Sequence, residues 1–323
     1  MPWHSRGTPK RKFWIGTTKE LSWRGSQPMV LECYEQEALA RSASALQQGA
    51  LHPLKTTRCD LPELNGSSQF ELRALDSDLP KHLRPSGPKP NPFLPWDPRL
   101  EVAQVGADHA LILNKYPVQL GHMLLVTRHW AAQCDWLQAQ DLQALATVDQ
   151  RTSGLWFFNS GPDAGASQPH RHIQLLPRSD TATICPREPW FLERLDANQS
   201  TQRDISRLEA AVCVHERDIK EPDQAGHLVA LYRQMSQELG LGDPSHDQKP
   251  LAPYNLLLTR RWIALVRRLR DGCHGFSINA LGFAGYLLTT QVSDQHWLDT
   301  HGPEQLLESV IDPFRDFSVA GNG

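Results

Sequence analysis

No apolar run in the sequence approaches the roughly 20 residues that a membrane-spanning helix requires, so a soluble protein is expected. A basic excess is missing too. The chain carries 33 Lys and Arg against 36 Asp and Glu, a net charge of −3 with a pI near 6.5. Nucleic-acid binders usually show a basic stripe, and no nucleic-acid partner is expected. The six cysteines, at 33, 59, 134, 185, 213 and 273, include no Cys-x-x-Cys pair. That argues against a zinc ribbon or a disulfide framework and for reduced thiols in a cytoplasmic setting. Residues 1–27 are rich in Lys and Arg but lack the continuous apolar stretch of a secretory signal, and read as a flexible extension.

At 323 residues and 36.4 kDa the chain is long enough for one large domain or two packed together. Its most informative stretch is Asn159 to Pro177, NSGPDAGASQPHRHIQLLP. Alternation along an extended segment places His170, His172 and Gln174 on one face and Arg171, Ile173 and Leu175 on the other. A neutral imidazole is a good nucleophile towards phosphorus near neutral pH, and a neighbouring group can fix its tautomer. An amide can donate to a phosphoryl oxygen as charge develops. Small loop residues Gly161, Gly165, Ala166 and Ser167 would let main-chain N–H groups approach phosphate. The row thus suits nucleotidyl transfer, although two histidines at this spacing also suit a solvent-facing strand edge or half of a metal site.

Elsewhere, Leu31–Gly49 reads as a helix ended by Gly49, and Phe70–Leu75 as a strand. Residues 85–98 carry six prolines, read as an ordered wall. Runs at 110–118 and 121–128 read as strands about a tight turn, with His122 a feature of that turn. Asp135–Thr152 is expected to be helical, Leu155–Phe158 a strand, Arg203–Arg217 and Ala225–Leu241 helices, Tyr254–Trp262 the start of further strands, and Gly302–Ile311 a closing helix. Leu125–Trp130 and Leu257–Trp262 share Leu, Thr, Arg and Trp in register, an echo that suits a duplicated half-fold.

Asn159-Ser160-Gly161 followed by Gly165-Ala166-Ser167-Gln168-Pro169-His170-Arg171-His172-Ile173-Gln174 resembles the signature of ATP adenylyltransferases, also called diadenosine tetraphosphate phosphorylases. These belong to the histidine triad superfamily, in the branch of galactose-1-phosphate uridylyltransferase. The resemblance implies an α+β, histidine-triad-like fold: a mainly antiparallel sheet with flanking helices, two related halves merged into one extended sheet. It implies an extension at 1–27, a catalytic half at 28–200, and a half at 201–323 that completes the nucleotide pocket. By the same resemblance His172 is the nucleophile that becomes adenylylated, His170 holds its ring, and Gln174 replaces a third histidine, as in transferases. Lys81 would reach the polyphosphate, and Asn91 and Pro92 would line the nucleotide site. Asn159, Gly165, Ala166, Ser167 and Gln168 would bind the adenylate and its phosphates. Asn279, Ala280 and Leu281 would line the pocket; Tyr286 stands where Met is common, and Thr290 where Lys is often found.

The implied reaction is phosphorolysis of diadenosine tetraphosphate by inorganic phosphate to ATP and ADP, reversible, through an adenylyl-histidine. No cofactor is implied as obligatory, although a divalent cation such as magnesium could accompany the polyphosphate substrate. A dinucleoside polyphosphate hydrolase, a hexose-1-phosphate nucleotidyltransferase and a non-enzymatic nucleotide-binding protein remain as alternatives. The partners implied are small nucleotides, with no membrane, and the assembly is left open between a monomer and a small homo-oligomer.

Overall fold

The longest apolar runs form strands because both of their faces are covered. In the computed structural model, which describes residues 33–61, 69–76, 91–178, 183–197 and 205–314, eight strands make one sheet. They are β3 (Glu101–Val105), β4 (His109–Leu113), β5 (Met123–Thr127), β6 (Gly154–Asn159), β7 (His172–Pro177), β8 (Val212–Glu216), β9 (Tyr254–Leu258) and β10 (Trp262–Arg267). The order is β3-β4-β5-β7-β6-β9-β10-β8, and every neighbouring pair is antiparallel. The expected α+β architecture with one extended antiparallel sheet is therefore the one observed.

Alternation assigns side chains to two cores. Trp156 and Phe158 of β6, Leu256 and Leu258 of β9, and Ile263 and Leu265 of β10 enter one core. It is closed by α1 (Cys33–Gln47), α2 (Ala139–Asp149) and α5 (Gln224–Glu238). Leu155, Phe157, Leu257, Trp262, Ala264 and Val266 face the other way. There they meet α3 (Glu188–Ala197), α4 (Arg207–Ala210), α6 (Ala280–Phe283) and α7 (Gln295–Glu308). Burying both faces removes the polar half of the usual strand alternation, which is why these segments read as unbroken apolar runs.

A smaller sheet joins sequence-distant parts. β1 (Thr56–Cys59) pairs antiparallel with β2 (Glu71–Leu75), which pairs in parallel with β13 (Tyr286–Thr289). Two short strands, β11 (Gly272–Cys273) and β12 (Phe276–Ser277), form a hairpin before α6.

Several expectations need correction. Arg203–Arg217 is not one helix: Ser206 caps a single turn, α4, after which Val212–Glu216 pairs with β10 as an edge strand. The β-branched alternation of Val212 and Val214 overrides the helical reading. The helix expected from Asp135 begins at Ala139, where Gln138 and Asp141 form a capping box. The closing helix starts at Gln295 and is kinked at Gly302, which has φ of 81°, next to Pro303. The two echoed segments also differ in environment: Trp130 is 57% exposed while Trp262 is fully buried. Lys81, the 1–27 extension, residues 85–90 of the proline-rich run and residues 203–204 lie outside the described residues. No described helix is long and apolar enough to cross a membrane.

Candidate active site

β7 lies between β5 and β6, near the middle of the sheet. Its Ile173 and Leu175 enter the core beneath α2 and α5, and Arg171, just before it, bonds Asp141 of α2 at 2.9 Å. His172 and Gln174 project to the opposite face, as the alternation requires. His170 precedes the strand, held in an isolated bridge to Ala132.

Neighbouring donors and acceptors determine where the proton sits on three histidines. His172 Nδ1 lies 2.8 Å from the main-chain carbonyl of His170. A carbonyl only accepts, so Nδ1 carries the proton and Nε2 keeps its lone pair. Asn91 Oδ1 accepts from Phe93 N–H at 2.9 Å, which turns its Nδ2 towards His170 Nδ1 at 2.8 Å. His170 therefore carries its proton on Nε2, which donates to the Thr127 carbonyl at 2.9 Å. Asn114 repeats the device. Its Oδ1 accepts from Tyr116 N–H and its Nδ2 donates to His122 Nδ1, both at 3.1 Å. His122 Nε2–H then donates to Gln174 Oε1 at 3.1 Å, leaving the Gln174 NH₂ free to donate.

None of these imidazoles has a carboxylate partner in these bonds, and all are buried. Burial pushes His172 and His122 down to about 4, and lowers His170 as well. At neutral pH His172 is thus uncharged, with an unprotonated Nε2. Phe93 and Trp130 flank the pair, with ring centroids 5.3 Å from His172 for Phe93 and 5.4 Å from His170 for Trp130. Leu94, Pro95 and Trp96 beside Phe93 line a cavity with Arg128 and His129.

The loop before β7 is built against the second motif. Gly165, with φ of 85°, ends a 3₁₀ turn at Pro162–Ala164, and a Cβ there would come within 2.8 Å of the Ile278 carbonyl. Asn159 Oδ1 accepts from Asn255 Nδ2 and from Ala280 N–H, both at 2.9 Å. Asn279 caps α6 by accepting from Leu281 N–H at 2.9 Å. Buried Arg268 donates to the carbonyls of Ile278 and Val310, and stacks over Phe283. Asn159, Gly165 and the 279–281 segment are therefore one packed unit.

The ring of His172 is held by His170 through its main-chain carbonyl. The N–H groups of Gly161, Gly165 and Ala166 bond within the loop, to Asn159, Pro162 and Gly161 respectively. Ser167 is exposed, and Gln168 Oε1 is buried with no donor among the described residues. Pro92 is exposed between Asn91 and Phe93. Tyr286 is half-buried at the start of β13; burial raises its phenol, and Arg178 acts against that rise. Thr290 is engaged in a local turn with Ser293.

The sequence reading missed Gln133, which is buried and brackets the site: its Oε1 accepts from His172 N–H at 2.8 Å and its Nε2 donates to the Asn159 carbonyl at 2.8 Å. It also missed Thr127, Asn114 and Arg178, and placed His122 only in a turn. The Asn-x-aromatic spacing shared by Asn91 and Asn114 was the available signal.

Comparison with known proteins gives two family matches: residues 26–191 to the Ap4A phosphorylase N-terminal domain, and residues 205–312 to the ATP adenylyltransferase C-terminal domain. The chain is 29% identical over 204 residues to the protein APA1 of Saccharomyces cerevisiae, covering 57% of this chain and 63% of that protein. It is 26% identical over 247 residues to diadenosine 5',5'''-P1,P4-tetraphosphate phosphorylase 2 of the same yeast, covering 68% of this chain and 75% of that one. The crystal structure of yeast Ap4A phosphorylase Apa2 superposes with a TM-score of 0.64 at 22% identity, over 88% of this chain and 99% of the other.

Proposed function

The chain belongs to the Ap4A phosphorylase and ATP adenylyltransferase family, and from that premise we propose that it cleaves diadenosine tetraphosphate with inorganic phosphate through an adenylyl-His172. The observation that carries this reading is the protonation of His172: Nδ1–H fixed on a carbonyl, Nε2 bare, and the ring neutral at physiological pH.

Nε2 attacks the phosphorus that bears one adenosine. The bond from that phosphorus to its bridging oxygen breaks, ATP leaves, and AMP remains on the ring through an N–P bond. The positive charge gained by the imidazole is met by the His170 carbonyl. An oxygen of inorganic phosphate then attacks the same phosphorus, the N–P bond breaks, ADP leaves, and His172 returns to its starting state. The Gln174 NH₂ donates to a non-bridging oxygen as charge develops. Asn91 and Phe93 support the imidazoles, while Asn159 and Gly165 set the loop that faces the nucleotide. The acceleration comes mainly from positioning and fixed dipoles.

The test is incubation with diadenosine tetraphosphate, with and without phosphate, following products by chromatography and the protein by intact mass. ATP and ADP formed only with phosphate, with an AMP adduct that His172→Ala lacks, are expected. ATP and AMP formed without phosphate would instead make water the acceptor and overturn phosphorolysis.

A further inference from the structure

A second group of reactive side chains lies at the far edge of the large sheet, four strand spacings from β7, or about 19 Å. Cys213 and His215, two residues apart on edge strand β8, point to the same face. Glu238, the last residue of α5, reaches over them. Its Oε2 accepts from Cys213 Sγ–H and from His215 Nε2–H, each at 2.8 Å, and its Oε1 accepts from Gln234 Nε2 at 2.8 Å. One thiol, one imidazole and one carboxylate thus converge, with one ligand atom from each lying within 4.8 Å of the others.

We propose that Cys213, His215 and Glu238 form a binding site for a divalent ion of zinc's class, which ties the edge strand to the end of α5. Tetrahedral zinc with bonds of about 2.0–2.3 Å holds its ligand atoms roughly 3.3–3.7 Å apart, so only small side-chain movements close the site. A sulfur, a nitrogen and an oxygen donor select a borderline ion over magnesium or calcium, which take oxygen ligands. The His215 and Glu238 side chains are 23% and 41% exposed, so water completes the fourth position. Gln234 holds the carboxylate in place from its other oxygen, and the negative end of the α5 dipole favours a cation there. On binding, the Cys213 thiol releases its proton to solvent and coordinates as the thiolate.

The test uses the full chain after treatment with a chelator, titrated with zinc against a chromophoric chelator and, separately, with cobalt. The expected result is one zinc per chain and a thiolate-to-cobalt absorption band. Cys213→Ser should abolish the band, and both it and Glu238→Gln should weaken zinc binding by about tenfold or more. Cys134→Ser, which removes an exposed thiol elsewhere, should change neither. Zinc should raise the unfolding temperature of the unaltered chain but not of Cys213→Ser. If Cys213→Ser does not fold, Glu238→Gln at its partly exposed position decides alone. Failure of the unaltered chain to compete for zinc, equal affinity in Glu238→Gln, or loss of the band in Cys134→Ser would overturn the proposal.

Discussion

The two faces of the sheet at β7 treat buried histidine in opposite ways. Towards α2, His109 Nε2 bonds Asp141 at 2.8 Å, and the same carboxylate bonds Arg171 at 2.9 Å. Towards the site, His172 and His122 bond only a carbonyl and amides. Burial is similar on both sides. What differs is the partner: a carboxylate makes an ionic clamp between a strand and a helix, whereas neutral partners keep a ring uncharged and fix its tautomer. The reactivity proposed for His172 depends on withholding charge from a buried base.

The sharpest way to break this contrast is His172→Ala, which removes the proposed nucleophile. Turnover should fall by a factor on the order of 10⁴ or more in a steady-state assay, with the circular dichroism spectrum retained. On the other face, Asp141→Ala should cost about 3–5 kcal/mol, read as a shift in the urea midpoint, because Arg171 is left buried without its anion.

Acid should act on the site face. The His172 and His122 rings titrate near 4 in the folded chain, below the ordinary histidine value, so the unfolded chain takes up protons first. Their contribution is fully present above about pH 6.5 and is lost as pH falls towards 4, by about 3 kcal/mol for each ring. Urea unfolding at pH 7 and pH 4.5 measures it; equal stability at the two values would count against neutral rings. The smallest effect belongs to His122→Ala. Freed from its donor, the Gln174 amide can rotate, and kcat should fall by about tenfold with KM little changed. A fall in KM affinity alone would assign His122 to binding.

The sequence carried most of the central sheet, because β4, β5, β6, β9 and β10 are buried on both faces and therefore appear as apolar runs. It carried the row of β7 for the opposite reason, since His172 and Gln174 interrupt such a run at a period of two. β3 was missed: Glu101, Val102, Ala103, Gln104 and Val105 mix polar and apolar residues at an exposed edge. The supports of the site were harder to see. Gln133 and Asn114 each reach a site histidine through one side-chain amide, to residues 39 and 8 positions away, and an amide bonding a histidine elsewhere in the chain leaves no periodic trace. Arg178 had no motif to mark it. The Cys213 and His215 pair was hidden by reading β8 as part of a helix, in which positions two apart do not share a face.

The bond from Ala280 N–H to Asn159 Oδ1 spans 121 residues of chain. A ribosome adding roughly 5–20 residues per second needs about 6–24 s to bridge that interval. For most of that time the growing polypeptide already contains the entire His-x-His-x-Gln row, yet the acceptor on Asn159 awaits its donor. This link therefore forms late in synthesis, and products terminated before Ala280 carry the motif without it.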